Sequence, residues 1–224
     1  MTLILLVFGL YLFSIHAVEA GFSEGLTAYE LSDFSAALIE FRGVSRKGGD
    51  LRANYMLGHM YQHGHGVAKN NNIAMGYFRI AADLGHAKSQ YRLGLMHQKG
   101  FDLPTVEELV RSVETGIGPV GLTRKGRAGN FNTNLGLSYA EAERWYLLAA
   151  NQGLVEAQYN LGLMYASGGG IQQNYAIAYF WWSLAKESGN QRAGEKLGVL
   201  KIRMTQDEFS EGKRLIKQWS LENR

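Results

Sequence analysis

Residues 50–85 read DLRANYMLGHMYQHGHGVAKNNNIAMGYFRIAADLG, residues 154–189 read LVEAQYNLGLMYASGGGIQQNYAIAYFWWSLAKESG, and these two 36-residue stretches align without a gap. Residues 86–153 begin HAKSQYRLGLMHQKG and end YAEAERWYLLAANQG, so they form another copy, split by an insertion at about 101–138. A further copy starts at Asn190. This period predicts a repeat protein in which each unit packs mainly on its neighbours.

Each unit is predicted to fold as two helices. In the first half, Ala53, Leu57 and Met60 recur at i, i+4 and i+7, a spacing that marks one face of a helix. In the second half, alanines and aromatic residues share another helical face. We predict that the aromatic pairs of this face form core and do not line a ligand cage: Tyr77 and Phe78, Trp145 and Tyr146, Trp181 and Trp182.

A glycine lies inside the first helix of each unit, at Gly58, Gly94 and Gly162. Glycine in a helix interior costs about 1 kcal/mol relative to alanine. Because the cost recurs in every unit, we predict that a helix packs closely on each glycine, and we expect a neighbouring unit to supply it.

The repeated motif carries a family resemblance. Residues 53–85 fit A-x-x-x-L-G-x-M-Y-x-x-G-x-G-V followed by A-x-x-Y-F/W-x-x-A-A-x-x-G, which resembles the Sel-one-like repeat, a relative of the tetratricopeptide repeat. The resemblance implies an all-α fold, an α-solenoid of stacked antiparallel helix pairs. It also implies an adaptor or scaffold for protein–protein interaction, which in bacteria is often exported to the periplasm.

The register divides the chain into six segments. These are 1–20 (signal peptide or uncleaved anchor), 21–49 (degenerate helical pair), 50–85 (repeat 1), 86–153 (repeat 2 with the insertion), 154–189 (repeat 3) and 190–224 (C-terminal capping repeat). The insertion has two interpretations: a surface elaboration, or a loop that determines partner specificity.

The N-terminal segment predicts export. Residues 3–15 form an apolar run that is too short for a transmembrane helix, and Val18 and Ala20 stand where a signal peptidase reads small residues. We expect a periplasmic or secreted protein whose mature chain starts at Gly21. No Lys or Arg precedes the apolar run, so an uncleaved inner-membrane anchor is the alternative, and it is the only membrane contact that we expect.

Composition excludes several classes of function. The chain has no cysteine, which excludes disulfides, iron–sulfur clusters, thiolate zinc sites and cysteine nucleophiles. A net charge of +3 is far below the basic density of a dedicated nucleic-acid binder, so we expect no nucleic-acid partner. His59, His63 and His65 lack a nearby carboxylate or cysteine and occupy positions that vary between repeats, so we interpret them as exposed side chains and predict no metal and no cofactor.

One face of the first helices carries a charge bias. With each unit numbered from 1 at Asp50, positions 3, 7, 10 and 14 share the side that packing leaves open, and we call these residues the first-helix stripe. Seven of them are basic and one, Glu156, is acidic, against 23 basic and 20 acidic residues in the chain. First helices line the concave face of such solenoids, so we predict a basic groove that binds an acidic peptide segment or an anionic envelope polysaccharide. The predicted binding residues are Arg52, Lys88, Arg92, Lys99, Asn160, Arg192 and Lys196.

Two alternatives remain open for function. The stripe also fits a solvated charged face with no ligand. The alternative from another class is a cell-wall hydrolase or a β-lactam-binding enzyme. No paired carboxylates in a predicted pocket and no nucleophile–base triad point to catalysis, so we predict no enzyme and no catalytic residue.

Overall fold

The structure, a computed structural model, describes residues 17–48, 50–100 and 134–223. All regular secondary structure in these ranges is helical, so the predicted all-α fold is confirmed. The apolar run at 3–15 and most of the insertion lie outside the described residues. Within the three ranges, no helix has the length and hydropathy that a membrane span requires. The chain divides into two compact units, and among the described residues the N-terminal unit ends at Ser89 and the C-terminal unit starts at Gln90.

The N-terminal unit is built from helices that pack in sequence order. It comprises α1 (residues 17–30), α2 (Phe34–Gly48), α3 (Leu51–His63), α4 (Asn71–Asp83) and the first turn of α5 (Ala87–Gln98). Helix α3 packs against both α2 and α4. Asp50 starts α3, because its carboxylate accepts hydrogen bonds from the first free backbone amides of the helix. Asn70 caps α4 in the same way.

The C-terminal unit continues the same alternation. It contains the rest of α5, α6 (Asn134–Asn151), α7 (Val155–Ser167), α8 (Tyr175–Glu187), α9 (Gln191–Arg203) and α10 (Gln206–Glu222). Helix α7 packs on α6 and α8, and α8 in turn packs on α9 and α10. The second helix of repeat 2 begins at Asn134, so the last residues of the predicted insertion belong to α6. Gly153 and Gly189 close their repeats with φ of +84° and +92°, a left-handed conformation that glycine adopts without strain.

The glycines inside the first helices touch aromatic rings. A Cβ built on Gly58 would lie 2.7 Å from the Phe78 ring, and one on Gly94 would lie 2.5 Å from the Tyr146 ring. A Cβ on Gly162 would collide with Trp182. The predicted close packing is confirmed, but its source is different, because each ring belongs to the second helix of the same repeat and not to a neighbouring unit.

The predicted core residues are buried. Phe78, Trp145 and Tyr146 are at most 1% exposed, and Leu161 is completely buried among the helices of the C-terminal unit. Trp182 is 3% exposed and its Nε1 donates a hydrogen bond to the Tyr159 carbonyl oxygen at 3.0 Å. The interpretation of the aromatic pairs as core is therefore confirmed.

The last repeat is built differently from the others. Residues 64–70 and 168–174 connect the paired helices of repeats 1 and 3, whereas only Met204 and Thr205 separate α9 from α10. Helix α10 packs on α8, where a Cβ on its Gly212 would lie 2.7 Å from the Tyr179 ring. A Cβ on Gly198 of α9 would have no atom within 4 Å.

Candidate interaction surface

Four predicted binding residues of the C-terminal unit point outward from α5 and α9. The packing of Leu93 and Leu197 into the core directs the opposite sides of these helices to solvent. The side chains of Lys99, Arg192 and Lys196 are exposed, and Arg92 is half-buried. Each helix therefore presents cations on its outer side.

Asn160, the predicted binding residue on α7, is half-buried and already has a partner. Its Nδ2 donates a hydrogen bond to the Tyr91 hydroxyl of α5 at 3.4 Å. Burial raises the pKa of Tyr91, the bond from Asn160 and the charge of Arg92 lower it, and the charge of Glu156 raises it. Arg92 and Glu156 thus act on the same hydroxyl, so the acidic residue of the stripe offsets part of the positive potential near α7.

Charge pairing distinguishes the stripe arginines of the C-terminal unit from the arginines of the second helices α4, α6 and α10. Each arginine on α4, α6 and α10 binds a carboxylate of its own helix, with N–O distances of 2.7 Å for Arg79–Asp83, 2.9 Å for Arg144–Glu141 and 2.7 Å for Arg214–Glu211. The stripe cations of the C-terminal unit form no ion pair with any residue that the structure describes: Arg92, Lys99, Arg192, Lys196 and Arg203. Among the described residues, no carboxylate therefore competes with an external anion for these five charges.

The two predicted binding residues of the N-terminal unit differ in exposure and ion pairing. Lys88 is exposed and has no ion pair within the described ranges. Arg52 binds Glu19 of α1 at 2.7 Å and Asp50 at 2.9 Å, and its guanidinium lies 4.3 Å from the centre of the Phe22 ring. The hydrogen bond from Arg52 lowers the pKa of Glu19, and the bond with Glu19 is the main reason that the pKa of Arg52 is raised. Arg52 thus joins α1 to α3, and two carboxylates already compensate its charge.

Sequence reasoning missed a cluster around Tyr29. The Tyr29 hydroxyl lies 3.0 Å from Nδ1 of His59 and 2.7 Å from Nδ1 of His65, and the rings of His59 and His63 are 4.1 Å apart. His59 and His65 are half-buried, so their interpretation as exposed side chains is wrong, and only His63 is exposed. Tyr29 lies in the non-repeating N-terminal segment, where no register predicts a contact with α3. No group of three or more possible ligands within the described ranges has the geometry of a metal site.

Three segments of the chain match the spacing of serine-nucleophile motifs. Residues 21–25 read G-x-S-x-G, and S-x-x-K occurs at 183–186 and at 210–213. A G-x-S-x-G elbow needs a sharp turn between a strand and a helix, whereas Ser23 lies in the middle of α1. A Cβ on Gly25 would lie 2.8 Å from the Phe41 ring, so this glycine is explained by packing on α2.

The two S-x-x-K serines are equally unsuited to catalysis. Ser183 is 8% exposed and its hydroxyl donates to the Tyr179 carbonyl at 2.7 Å. The Ser210 hydroxyl donates to the Gln206 carbonyl at 2.8 Å. A hydroxyl that donates to a backbone carbonyl one turn away has no base to accept its proton. An open hollow of about 340 Å³ borders Ser23, and no histidine lines it.

Comparison with known proteins identifies the repeats. The family model described as "Sel1 repeat" matches residues 51–86, 87–109, 136–154 and 155–190, just over half of the chain. The chitin synthase regulator SKT5 of Saccharomyces cerevisiae is 30% identical over 65% of this chain and 22% of its own length. The exopolysaccharide production negative regulator of Rhizobium meliloti is 28% identical over 77% of this chain and 57% of its own length.

A solved structure shares the fold. The crystal structure of the Sel1 repeat protein from Oxalobacter formigenes matches with a TM-score of 0.59 and 28% identity, covering 78% of this chain and 58% of that one. The chain spans only about a quarter of the length of the first curated relatives: 22% of the yeast regulator and 26% of the rat DAP3-binding cell death enhancer 1. Matched repeats and shared helical architecture lead to one conclusion: the chain belongs to the Sel1-repeat family, an all-α solenoid fold whose repeats mediate protein–protein interaction.

Proposed function

We propose that the protein is an exported, non-enzymatic scaffold that binds an acidic partner along the first helices of its C-terminal unit. The partner is an acidic peptide segment or an anionic envelope polysaccharide. One observation carries the proposal: the stripe cations of the C-terminal unit have no ion pair among the described residues, whereas the arginines of α4, α6 and α10 are paired within their own helices.

The chemistry of the stripe suits a carboxylate-bearing ligand. Arg92 and Arg192 each present a planar guanidinium, which can bind a carboxylate through two parallel hydrogen bonds. Lys99 and Lys196 add mobile point charges on the same two helices. Exposed charges of this kind act over a Debye length of about 8 Å at physiological ionic strength, so binding should be strongly salt-dependent.

The names of the relatives support both classes of ligand. Two of them, the yeast chitin synthase regulator and the Rhizobium exopolysaccharide regulator, are named for polysaccharide production. A third, the DAP3-binding cell death enhancer 1 of Rattus norvegicus, is named for binding a protein and is 28% identical over 56% of this chain.

Export would change the environment of Arg52. Helix α1 includes Val18, Glu19 and Ala20, the segment that contains the expected cleavage site. Cleavage after Ala20 would remove Glu19 and leave Arg52 paired with Asp50 alone. Export to the periplasm would therefore add part of the Arg52 charge to the stripe, whereas an uncleaved inner-membrane anchor would keep it compensated.

Charge reversal tests the proposed surface. We expect the double variant Arg92→Glu, Lys196→Glu to bind a labelled poly-glutamate peptide or a labelled polyuronate at least about tenfold more weakly than the wild type. The matched control, Lys213→Glu with Lys217→Glu, reverses two exposed charges on α10 and should have a much smaller effect. The probe that binds more tightly to the wild type identifies the ligand class. Equal losses in both variants, or binding that does not change with salt, would refute the proposal.

A separate assay addresses the enzymatic alternative. We expect no turnover when purified protein is incubated with peptidoglycan fragments or a chromogenic β-lactam, because the Ser183 and Ser210 hydroxyls donate to backbone carbonyls and no histidine lines the hollow beside Ser23. Turnover that disappears on alanine replacement of one of these serines would replace the scaffold proposal with an enzymatic one.

A further inference from the structure

Two arginines on α2 lack the carboxylate partners that the arginines of α4, α6 and α10 have. Arg42 is half-buried and Arg46 is exposed, and neither forms an ion pair with a residue in the described ranges. Residues four apart on a helix are neighbours on one face, and like charges at this spacing repel each other. No carboxylate among the described residues offsets this repulsion by pairing with either arginine.

The two arginines lie beside a pair of stacked tyrosines. A guanidinium nitrogen of Arg42 donates a hydrogen bond to the Tyr61 hydroxyl of α3 at 2.5 Å. The Tyr61 ring stacks on the Tyr77 ring of α4, with ring centres 5.7 Å apart and planes inclined by 16°. Burial, followed by the neighbouring Tyr61, raises the pKa of Tyr77, and the charges of the two arginines lower it. Both guanidinium groups therefore act on the Tyr77 hydroxyl.

This group of side chains is rich in hydrogen-bond donors. We call Arg42, Arg46, Tyr61 and Tyr77 the α2 donor cluster. A guanidinium has five N–H donors and no acceptor, and a phenol has one O–H donor. Because the Tyr61 oxygen already accepts from Arg42, its own proton points to a different group. Two positive charges beside two phenolic protons are the complement of a doubly charged oxyanion.

Repeat 3 shows how the chain uses the equivalent tyrosine. Tyr165 has the register position of Tyr61, and its hydroxyl donates to a carboxylate oxygen of Glu143, on the preceding second helix. In repeat 1 the preceding second helix is α2, which places Arg42 at the hydroxyl instead. The chain therefore supplies the anion itself in repeat 3, whereas in repeat 1 it supplies a cation and leaves the phenolic proton for an external anion.

We propose that the α2 donor cluster binds a phosphate group, either as the free ion or as a monoester. A phosphate group carries a charge of about −1.5 to −2 near pH 7, which matches the two guanidinium charges. Its oxygens are arranged tetrahedrally, so they can accept from two arginines and two hydroxyls that approach from different directions. A carboxylate is less suitable, because its oxygens accept hydrogen bonds mainly in one plane.

This site is separate from the first-helix stripe. Its two cations belong to α2, and its two hydroxyls belong to side chains whose rings are only 5% and 8% exposed, Tyr61 and Tyr77. Phosphate binding there does not depend on the proposed scaffold function, and either proposal can fail without the other.

Isothermal titration calorimetry of the full chain at constant ionic strength tests the site. We expect saturable binding of inorganic phosphate or of glycerol 3-phosphate, and the tighter of the two shows whether the site takes the free ion or a monoester. Arg42→Gln combined with Arg46→Gln should weaken the binding at least about tenfold. Tyr77→Phe keeps the buried ring and removes only the hydroxyl, so it should weaken binding about tenfold without changing the fold.

The matched control is Arg79→Gln combined with Arg144→Gln. It also removes two arginine charges from second helices, but each of these arginines already binds a carboxylate of its own helix. This variant should bind phosphate as the wild type does. Absence of saturable binding, or equal losses in the control and in the Arg42 and Arg46 variant, would overturn the proposal. Equal affinities for phosphate and acetate would also overturn it, because the cluster would then respond to negative charge alone.

Discussion

Replacing a first-helix glycine with alanine should have opposite effects at Gly162 and at Gly198. In both variants the helix gains about 1 kcal/mol of intrinsic propensity. At Gly198 the methyl group meets nothing within 4 Å, so that gain is the main effect. We expect Gly198→Ala to raise the free energy of unfolding by about 0.5 to 1 kcal/mol.

At Gly162 the same methyl group collides with the Trp182 ring. Overpacking of a dense core costs about 1 to 3 kcal/mol. The ring cannot withdraw without stretching the hydrogen bond from Trp182 Nε1 to the Tyr159 carbonyl, which is 3.0 Å long. Losing that bond costs a further 0.5 to 1.5 kcal/mol or so. After the propensity gain is subtracted, we expect Gly162→Ala to destabilise the protein by about 1 to 3 kcal/mol.

Urea denaturation followed by circular dichroism measures both values. The slope of the transition should match that of the wild type in each variant, so that a shift in midpoint reports a change in stability. Gly58→Ala, whose methyl group would lie 2.7 Å from the Phe78 ring, should behave like Gly162→Ala. A stabilising effect at Gly162, or a destabilising one at Gly198, would show that ring contact does not explain these glycines.

Three further predictions concern the core, pH and processing. Leu161→Ala, at a completely buried position, should cost about 2 to 5 kcal/mol by denaturant titration, and a loss below about 0.5 kcal/mol would refute the repeat register. Burial, followed by the charge of Lys88, lowers the pKa of His86, so the unfolded state binds its proton more readily. The free energy of unfolding should therefore fall as the pH drops below about 6.5, the pKa of histidine in the unfolded state. His86→Gln should make the free energy of unfolding less dependent on pH in this range, and an identical pH profile in the variant would contradict the prediction. Amino-terminal sequencing of protein from the native host should start at or near Gly21, and an intact Met1 in an envelope fraction would indicate the anchor.

The helical architecture was predictable because the same pattern of apolar positions recurs in each repeat. Ala53, Leu57 and Met60 are completely buried, as their spacing predicts, since an inward position tolerates few side-chain types and therefore shows a clear pattern. The partner of each internal glycine was not predictable from one helix alone. Gly58 lies about 100° around the helix from Leu57, and only the placement of α4 shows which neighbour covers that side.

Contacts of the non-repeating N-terminal segment could not be predicted. Glu19 and Arg52 are 33 residues apart, and no register links them. The same holds for Tyr29 and His65, which meet because α1 lies beside the turn that follows α3. In the last repeat the packing of α10 depends on a connection of only two residues after α9, which directs α10 away from the usual second-helix position. The first-helix pattern of Ala193 and Leu197 continues without change and therefore gives no sign of this difference.

Packing and ligand preference depend on different positions of the same helix. Inward position 8 is leucine in all four first helices, whereas outward position 7 holds Met56, Arg92, Asn160 and Lys196. Because the outward side chains contribute little to the core, their charge can change without a large cost in stability. Arg52 is the exception, since its guanidinium joins α1 to α3 through Glu19. Reversing the charge of Arg92 should therefore alter binding while the melting temperature stays nearly constant. Reversing the charge of Arg52 should lower the melting temperature as well. Equal melting temperatures for the two variants would show that the Glu19 contact contributes nothing to the fold.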